Sequence, residues 1–168
     1  MTIDKAQNDN EARDKVWEMI KDIRVAQMVT KDSTGRLYAR PMVAQQDKFH
    51  GELWFFTEAD SPKIEEIARD PNVLLSYSEP DDQNYVSING TAEIVTDRTT
   101  INNLWSEFLR TWFPKGKEDP NIALICVHVE QAEYWDAPNS KFLHAYGYVK
   151  AVVTGKQPDA GDNRKVSF

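Results

Sequence analysis

Arg40, Thr57, Ser61 and Lys63 are the side chains of this 168-residue sequence whose types and spacing best suit chemistry. Arg40-Pro41-Met42 ends one β-compatible segment, and Trp54-Phe55-Phe56-Thr57 forms the next. Ser61-Pro62-Lys63 then opens a helix. Two cations, two hydroxyls and the free N–H groups of a helix start are what a terminal phosphate requires. The aromatic residues beside them suit a flat ring system. The same residues also suit a plain alternative, a hairpin with an aromatic core followed by a capped helix. Residue chemistry alone leaves both open.

Other chemistries find less support. His50, His128 and His144 are the only histidines, and none has a ligand-like neighbour at short spacing. No metal site is expected, and His128 is taken as a structural histidine. Cys126 stands alone in Ala-Leu-Ile-Cys-Val-His-Val. With one cysteine no internal disulfide can form, and the aliphatic flanks predict packing rather than a reactive thiolate. Nucleophile elbow, Walker loop and glycine-rich dinucleotide turn are all missing. No residue is identified as catalytic.

The elements that must position the four side chains follow from periodicity. Val16, Met19, Ile20 and Ile23 predict an amphipathic helix. Strands are predicted over 25–30 and 36–44, joined by the turn at Lys31 to Gly35, and again over 51–57. Ser61 suits an N-cap and Pro62 the first helical position, and Asp70-Pro71 stops that helix. Further strands follow over 72–78 and 86–94, the second interrupted by Gly90, which marks a bulge or a close backbone approach. Asp97 caps a helix with the stripe Ile101, Leu104, Trp105, Phe108 and Trp112, in which Trp105 and Phe108 are expected in the core. Residues 122–129 are apolar on both faces and predict a central strand running towards Trp135. Phe142, Tyr146, Val149 and Val153 repeat helically. Glu65-Glu66 is expected on a solvated helix face. The sum is α+β, an antiparallel barrel with peripheral helices.

Length and composition predict one soluble domain. A flexible N-terminus over 1–10, a domain over 11–155 and a disordered tail over 156–168 are the expected divisions. Net charge is −7 with a pI near 5.0, and no basic stripe is present. Nucleic-acid and anionic-membrane partners are therefore not expected. No apolar segment follows Met1, so a cytoplasmic location is the expectation.

The order of these segments resembles the pyridoxamine 5′-phosphate oxidase-like superfamily of FMN-binding split barrels, and more closely its bacterial general stress protein branch. The resemblance covers roughly residues 11 to 155. It implies an antiparallel split β-barrel, bound FMN (FAD being the alternative) and a homodimer with flavin at the interface. It assigns Arg40 to the flavin phosphate and ribityl chain, and the main chain of Pro41 and Met42 to the ring. Phe56-Thr57, with Phe55 beside them, would hold ring and phosphate. Lys63, six residues after that Thr, would bind the phosphate with Ser61 nearby. Trp112, in Trp-Phe-Pro-Lys-Gly, and Trp135, after Glu133-Tyr134, would cover the ring edge from the second subunit.

Departures from the authentic oxidases are specific. Pro62 stands where an Arg is usual, Tyr85 stands where a Gln is usual, and the C-terminal Arg-x-His-x-Arg-like substrate motif is missing. The resemblance therefore implies a flavin-binding general stress protein, with a redox role of unknown substrate. A pyridoxamine or pyridoxine phosphate oxidase is the first alternative. A flavin-free interaction module on the same fold is the second.

Overall fold

The computed structural model describes residues 2–136, 152 and 162–168. Helix α1 (Thr2–Ile23) leads into a hairpin of β1 (Val25–Lys31) and β2 (Leu37–Val43). Strand β3 (Glu52–Glu58), helix α2 (Pro62–Arg69), β4 (Asn72–Glu79) and β5 (Asn84–Val95) follow. Helix α3 (Arg98–Leu104) and a 3₁₀ turn (Glu107–Thr111) precede the long β6 (Ile122–Asp136) and β7 (Asp162–Ser167).

All strand pairs are antiparallel, in the order β2-β1-β4-β5-β6-β3, with β7 also paired to β6. Strands β2 and β3 are thus the two ends of the order. They curl round to meet at the bridge Ala44↔Phe55, supported by Gln45 N–H donating to the Trp54 carbonyl at 3.1 Å. Beyond that bridge no ladder joins β2 to β3 among the described residues. The expected α+β split barrel is therefore present.

Period-two alternation explains which side chains fill it. Ala26 and Met28 from β1, Leu53 and Phe55 from β3, Leu75 and Tyr77 from β4, and Ile125 and Val127 from β6 point inward and are almost fully buried. Helix α1 closes this core with Ala12, Val16, Met19 and Ile20 at helical spacing. Burying each of the larger three is worth about 1.5–3 kcal/mol. A second cluster lies outside β3 and β6, where Phe56, Ile122 and Leu124 pack under Ile101, Leu109 and Phe113. Strand β6 is apolar on both faces because both are covered.

Helix α1 begins at Thr2, and once the packed face from Ala12 to Ile20 has nucleated a helix, extending it towards the N-terminus costs little. Two expectations need correction. The expected tail over 156–168 contains β7, which pairs with β6 and buries Val166. The side chain of Arg13 holds its end by donating to the Ser167 carbonyl at 2.8 and 3.0 Å. The stripe from Ile101 to Trp112 is not one helix. Helix α3 stops at Leu104, and Trp105 turns extended to meet Phe56 edge-on at 6.0 Å. The tighter 3₁₀ turn then buries Leu109 and leaves Phe108 63% exposed, so Phe108 is not core. The helix expected between Phe142 and Val153 lies outside the described residues, apart from Val152.

Gly90 fulfils both of its expected roles. The β5–β6 register shifts between Asn89 and Gly90, and a Cβ there would stand 2.3 Å from the His128 carbonyl oxygen. The obstacle is the backbone of the paired strand β6, which cannot swing aside as a side chain could. Gly90→Ala is expected to lower stability by about 1–3 kcal/mol. Urea unfolding checks this, and an unchanged midpoint would contradict it.

Candidate functional site

The split between β2 and β3 gathers most of the residues singled out by sequence. Edge strands carry a row of backbone groups without ladder partners. On β2 the lip is Arg40-Pro41-Met42, and Pro41 is tolerated there because an edge needs fewer N–H donors. On β3 the lip is Phe56-Thr57, past the stretch that Gln45 and Gln46 cover by bonding to Trp54 and Glu52. The start of α2 lies below Thr57.

A buried carboxylate organises the β2 side. Glu66 is only 6% exposed, which corrects the expectation of a solvated Glu65-Glu66 pair; Glu65 alone is exposed. Arg40 meets Glu66 in a fork, Nη1 donating to Oε2 at 2.7 Å and Nη2 to Oε1 at 2.9 Å. Nη1 also donates to Thr30 Oγ1 at 2.7 Å, and Thr30 donates to Glu66 at 2.5 Å. Hydrogen bonding from Arg40 outweighs the opposing effect of burial and, with Thr30, holds the Glu66 carboxyl below its ordinary range. Arg40 therefore spends its charge on the protein, keeping part of its guanidinium for anything else.

Lys63 is the second cation beside the split. Its Nζ donates to Thr57 Oγ1 and to Ser61 Oγ, each at 2.8 Å. Ser61 takes the N-cap position without a side-chain cap bond, and Pro62 supplies the preset first turn, as expected. Burial and, secondly, repulsion by Arg40 push the Lys63 ammonium pKa down. Such a cation gains from any anion placed beside it. An ammonium has three N–H donors, so at least one remains for that anion.

The other expected residues divide. Met42 and Phe55 are buried in the barrel core, and Phe56 belongs to the second cluster. Only the backbones of these three lie along the split. Trp112 and Trp135 are 55% and 40% exposed. Trp112 follows the 3₁₀ turn and meets Phe108 edge-on at 5.2 Å. Thr57 pairs with Ala123, and Trp135 is twelve residues further along β6, about 40 Å as a strand runs. Trp135 is thus not brought to Thr57 within one chain. Sequence reasoning missed Thr30 and Glu66. The usable signal for Glu66 was its place beside Ile67, on the helix side that also packs inward.

Residues 11–159 match the family model described as pyridoxamine 5′-phosphate oxidase like. The chain belongs to that family. Protein bli-3 of Neurospora crassa is 28% identical over 154 residues, 86% of this chain and 74% of the fungal protein. A Jannaschia sp. structure assigned as general stress protein 26 superposes with a TM-score of 0.74 at 27% identity, covering 95% of this chain and 99% of that one. A general stress FMN/FAD binding protein from Xanthomonas citri gives 0.68 at 29% identity, covering 79% and 92%. Family membership and structural likeness to general stress proteins agree with the segment order. No helix among the described residues is long and apolar enough to cross a membrane.

The Glu66 network has a pH signature. A folded pKa below the unfolded one gives stability that is present above the ordinary value of 4.5 and is lost as pH falls through the lower folded value. Glu66→Gln should remove that acid dependence. At neutral pH it should cost about 3 kcal/mol, the lower end for a broken buried pair because Arg40 is one-quarter exposed. Urea unfolding across pH 3 to 7 (a range of about four units around the carboxylate pKa) checks both. Equal acid slopes in wild type and variant would sink the assignment.

Proposed function

We propose that this chain is a flavin-binding general stress protein that holds FMN in the split between β2 and β3, in a homodimer. The observation that carries the reading is Lys63, partly buried between the Thr57 and Ser61 hydroxyls at the start of α2. A cation, two hydroxyls and helix N–H groups fit a phosphate monoester. The unpaired edges of Pro41-Met42 and Phe56-Thr57 fit the polar rim of a flat ring, whose faces need apolar cover. Arg40, anchored by Glu66, reaches the ligand with the donors left over. FAD would use the same cradle with its adenylate directed outward.

Bound flavin supplies hydride or single-electron transfer. The part of this chain is to bind the phosphate, orient the ring and limit water around it. An oxidase of pyridoxamine phosphate would need a second basic cluster for its substrate. Pro62 occupies the position of one expected Arg, and Tyr85 that of a Gln, so the flavin site is supported further than B6 chemistry. In a flavin-free module Lys63 would serve only its bonds to Thr57 and Ser61; the yellow colour of oxidised flavin on the purified protein separates the two readings.

Lys63→Ala should weaken FMN binding about 10- to 150-fold, the equivalent of one charge-assisted hydrogen bond of roughly 1.5–3 kcal/mol. Riboflavin, which has no phosphate, should bind wild type and variant alike. Flavin fluorescence titration measures both. If riboflavin loses as much as FMN, the cradle is not a phosphate site.

A dimer is supported by the outer face of the β1–β2 hairpin. Val25, Leu37, Ala39 and Pro41 are exposed there, Leu37 at 70%. An apolar sheet face beside the proposed ring site suits a two-fold partner that covers both. Sedimentation should give a dimer at micromolar concentration, shifted towards monomer by Leu37→Lys. A monomer with flavin bound would refute this.

A further inference from the structure

A second constellation lies on the outer face of the barrel, apart from the split. The ladders set Glu52 opposite His128 and Glu93 opposite Cys126. Residues 126 and 128 share one face of β6, whereas Thr57 points to the other side of the sheet. Three strands thus bring a thiol, an imidazole and two carboxylates together. One donor atom each from Glu52, Cys126 and His128 lie within 4.8 Å of one another. His128 Nδ1 is 3.5 Å from Glu52 Oε1, and Nε2 is 3.9 Å from Cys126 Sγ and 3.3 Å from Glu93 Oε2.

The Nδ1–Oε1 spacing is that of neighbouring donors in a tetrahedral metal site; the sulfur is measured from the other ring nitrogen, and rotation of the half-exposed imidazole sets its distance to an ion held at Nδ1. Bond lengths of 2.3 Å to sulfur and about 2.0–2.2 Å to nitrogen and oxygen set neighbouring donors roughly 3.3–3.7 Å apart. Cys126 is 1% exposed and forms the floor, while His128 and Glu52 are nearly half exposed and form an open rim. Neither Glu52 nor Glu93 pairs with a lysine or arginine among the described residues. Among the described residues, the imidazole is the group that meets this pair of carboxylates.

We propose that Glu52, Cys126 and His128 bind a zinc-class divalent cation. A mixed sulfur, nitrogen and oxygen set suits a borderline-soft tetrahedral ion. Three protein ligands leave a fourth position for water. Glu93 is the positioning residue: it accepts from the ring nitrogen that the metal leaves free, which orients the imidazole. On binding, the Cys126 S–H bond breaks, its electron pair forms the sulfur–metal bond, and the proton leaves to solvent. Burial and the charges of Glu52 and Glu93 push the free thiol up to about 12.

Cobalt(II) titration of the full chain tests this, recorded as difference spectra with and without FMN. Wild type should show tetrahedral visible bands and a near-ultraviolet thiolate-to-cobalt band, saturate at one ion per chain, and be bleached by zinc. Cys126→Ser should lose the near-ultraviolet band, and His128→Gln should abolish saturable binding. Glu93→Gln should weaken zinc about 10- to 100-fold. Circular dichroism confirms folding; His128 is on the exposed rim, so its variant keeps the test valid if the Cys126 change unfolds the barrel. Absence of the thiolate band in wild type, its persistence in Cys126→Ser, or unchanged zinc affinity in His128→Gln would each overturn the site. None of these outcomes depends on whether FMN binds.

Discussion

The Glu66 carboxylate is the constraint on which the open end of the barrel rests. It lies on α2, and its partners Thr30 and Arg40 lie on β1 and β2. Burying a carboxylate costs several kcal/mol and is repaid only when charge and geometry are both met. The two-toothed fork from Arg40 meets both, and Thr30 satisfies a further lone pair. Helix α2, whose short apolar side buries Ile67 in the core, is thereby also tied to β1 and β2 by charge. With the helix fixed, Ser61 and Lys63 have one place to go, directly against Thr57.

The same pair sets the electrostatics of the split. Had Arg40 stood free, two adjacent cations would repel and the site would be held open by charge. With Glu66 present, Arg40 is paired and its remaining repulsion of Lys63 is second to burial, while Lys63 itself donates to the Thr57 and Ser61 hydroxyls. Hydroxyl oxygens solvate an ammonium less well than water does, and the lowered pKa of Lys63 expresses that deficit. An anion placed beside Lys63 would offset that deficit, and a cradle already held by hydrogen bonds to Thr57 and Ser61 would need little binding energy to build it.

The fold was legible because its signals are local. Alternation over 25–30, 72–78 and 86–94, the Ser61-Pro62 start and the Asp70-Pro71 stop each depend on near neighbours in sequence. Gly90 declared a close approach without naming the His128 carbonyl it meets. What escaped was pairwise and distant. Nothing around Glu66 indicates that Arg40, twenty-six residues earlier, will bury it. Phe108 fitted an α-helical stripe, but the break at Trp105 changed the period and turned it outward. The His128 environment was hidden for the same reason: Glu52 and Glu93 come from other strands, so short spacing could not reveal them. The Lys63 cradle was the exception, because Thr57, Ser61 and Lys63 lie on one strand–turn–helix unit.

The length of β6 makes the two tryptophans different problems. Trp112 adjoins Phe113, which packs against Phe56, so it stands at the same end of the barrel as Thr57. Trp135 stands at the far end of a fifteen-residue strand. No rotamer of a tryptophan spans the remaining distance, since a side chain reaches well under about 10 Å while the strand rises 3.3 Å or so per residue. A role for Trp135 at a ligand held by Lys63 of its own chain is therefore excluded by geometry. A role at a neighbour's ligand requires an antiparallel approach that brings the far end of one β6 to the split of another. A two-fold axis produces that arrangement, and it produces it twice. The exposed apolar face of β1 and β2 beside the split is the surface such an approach would cover, so burial of Leu37 and shielding of the ring would arise from one contact rather than two.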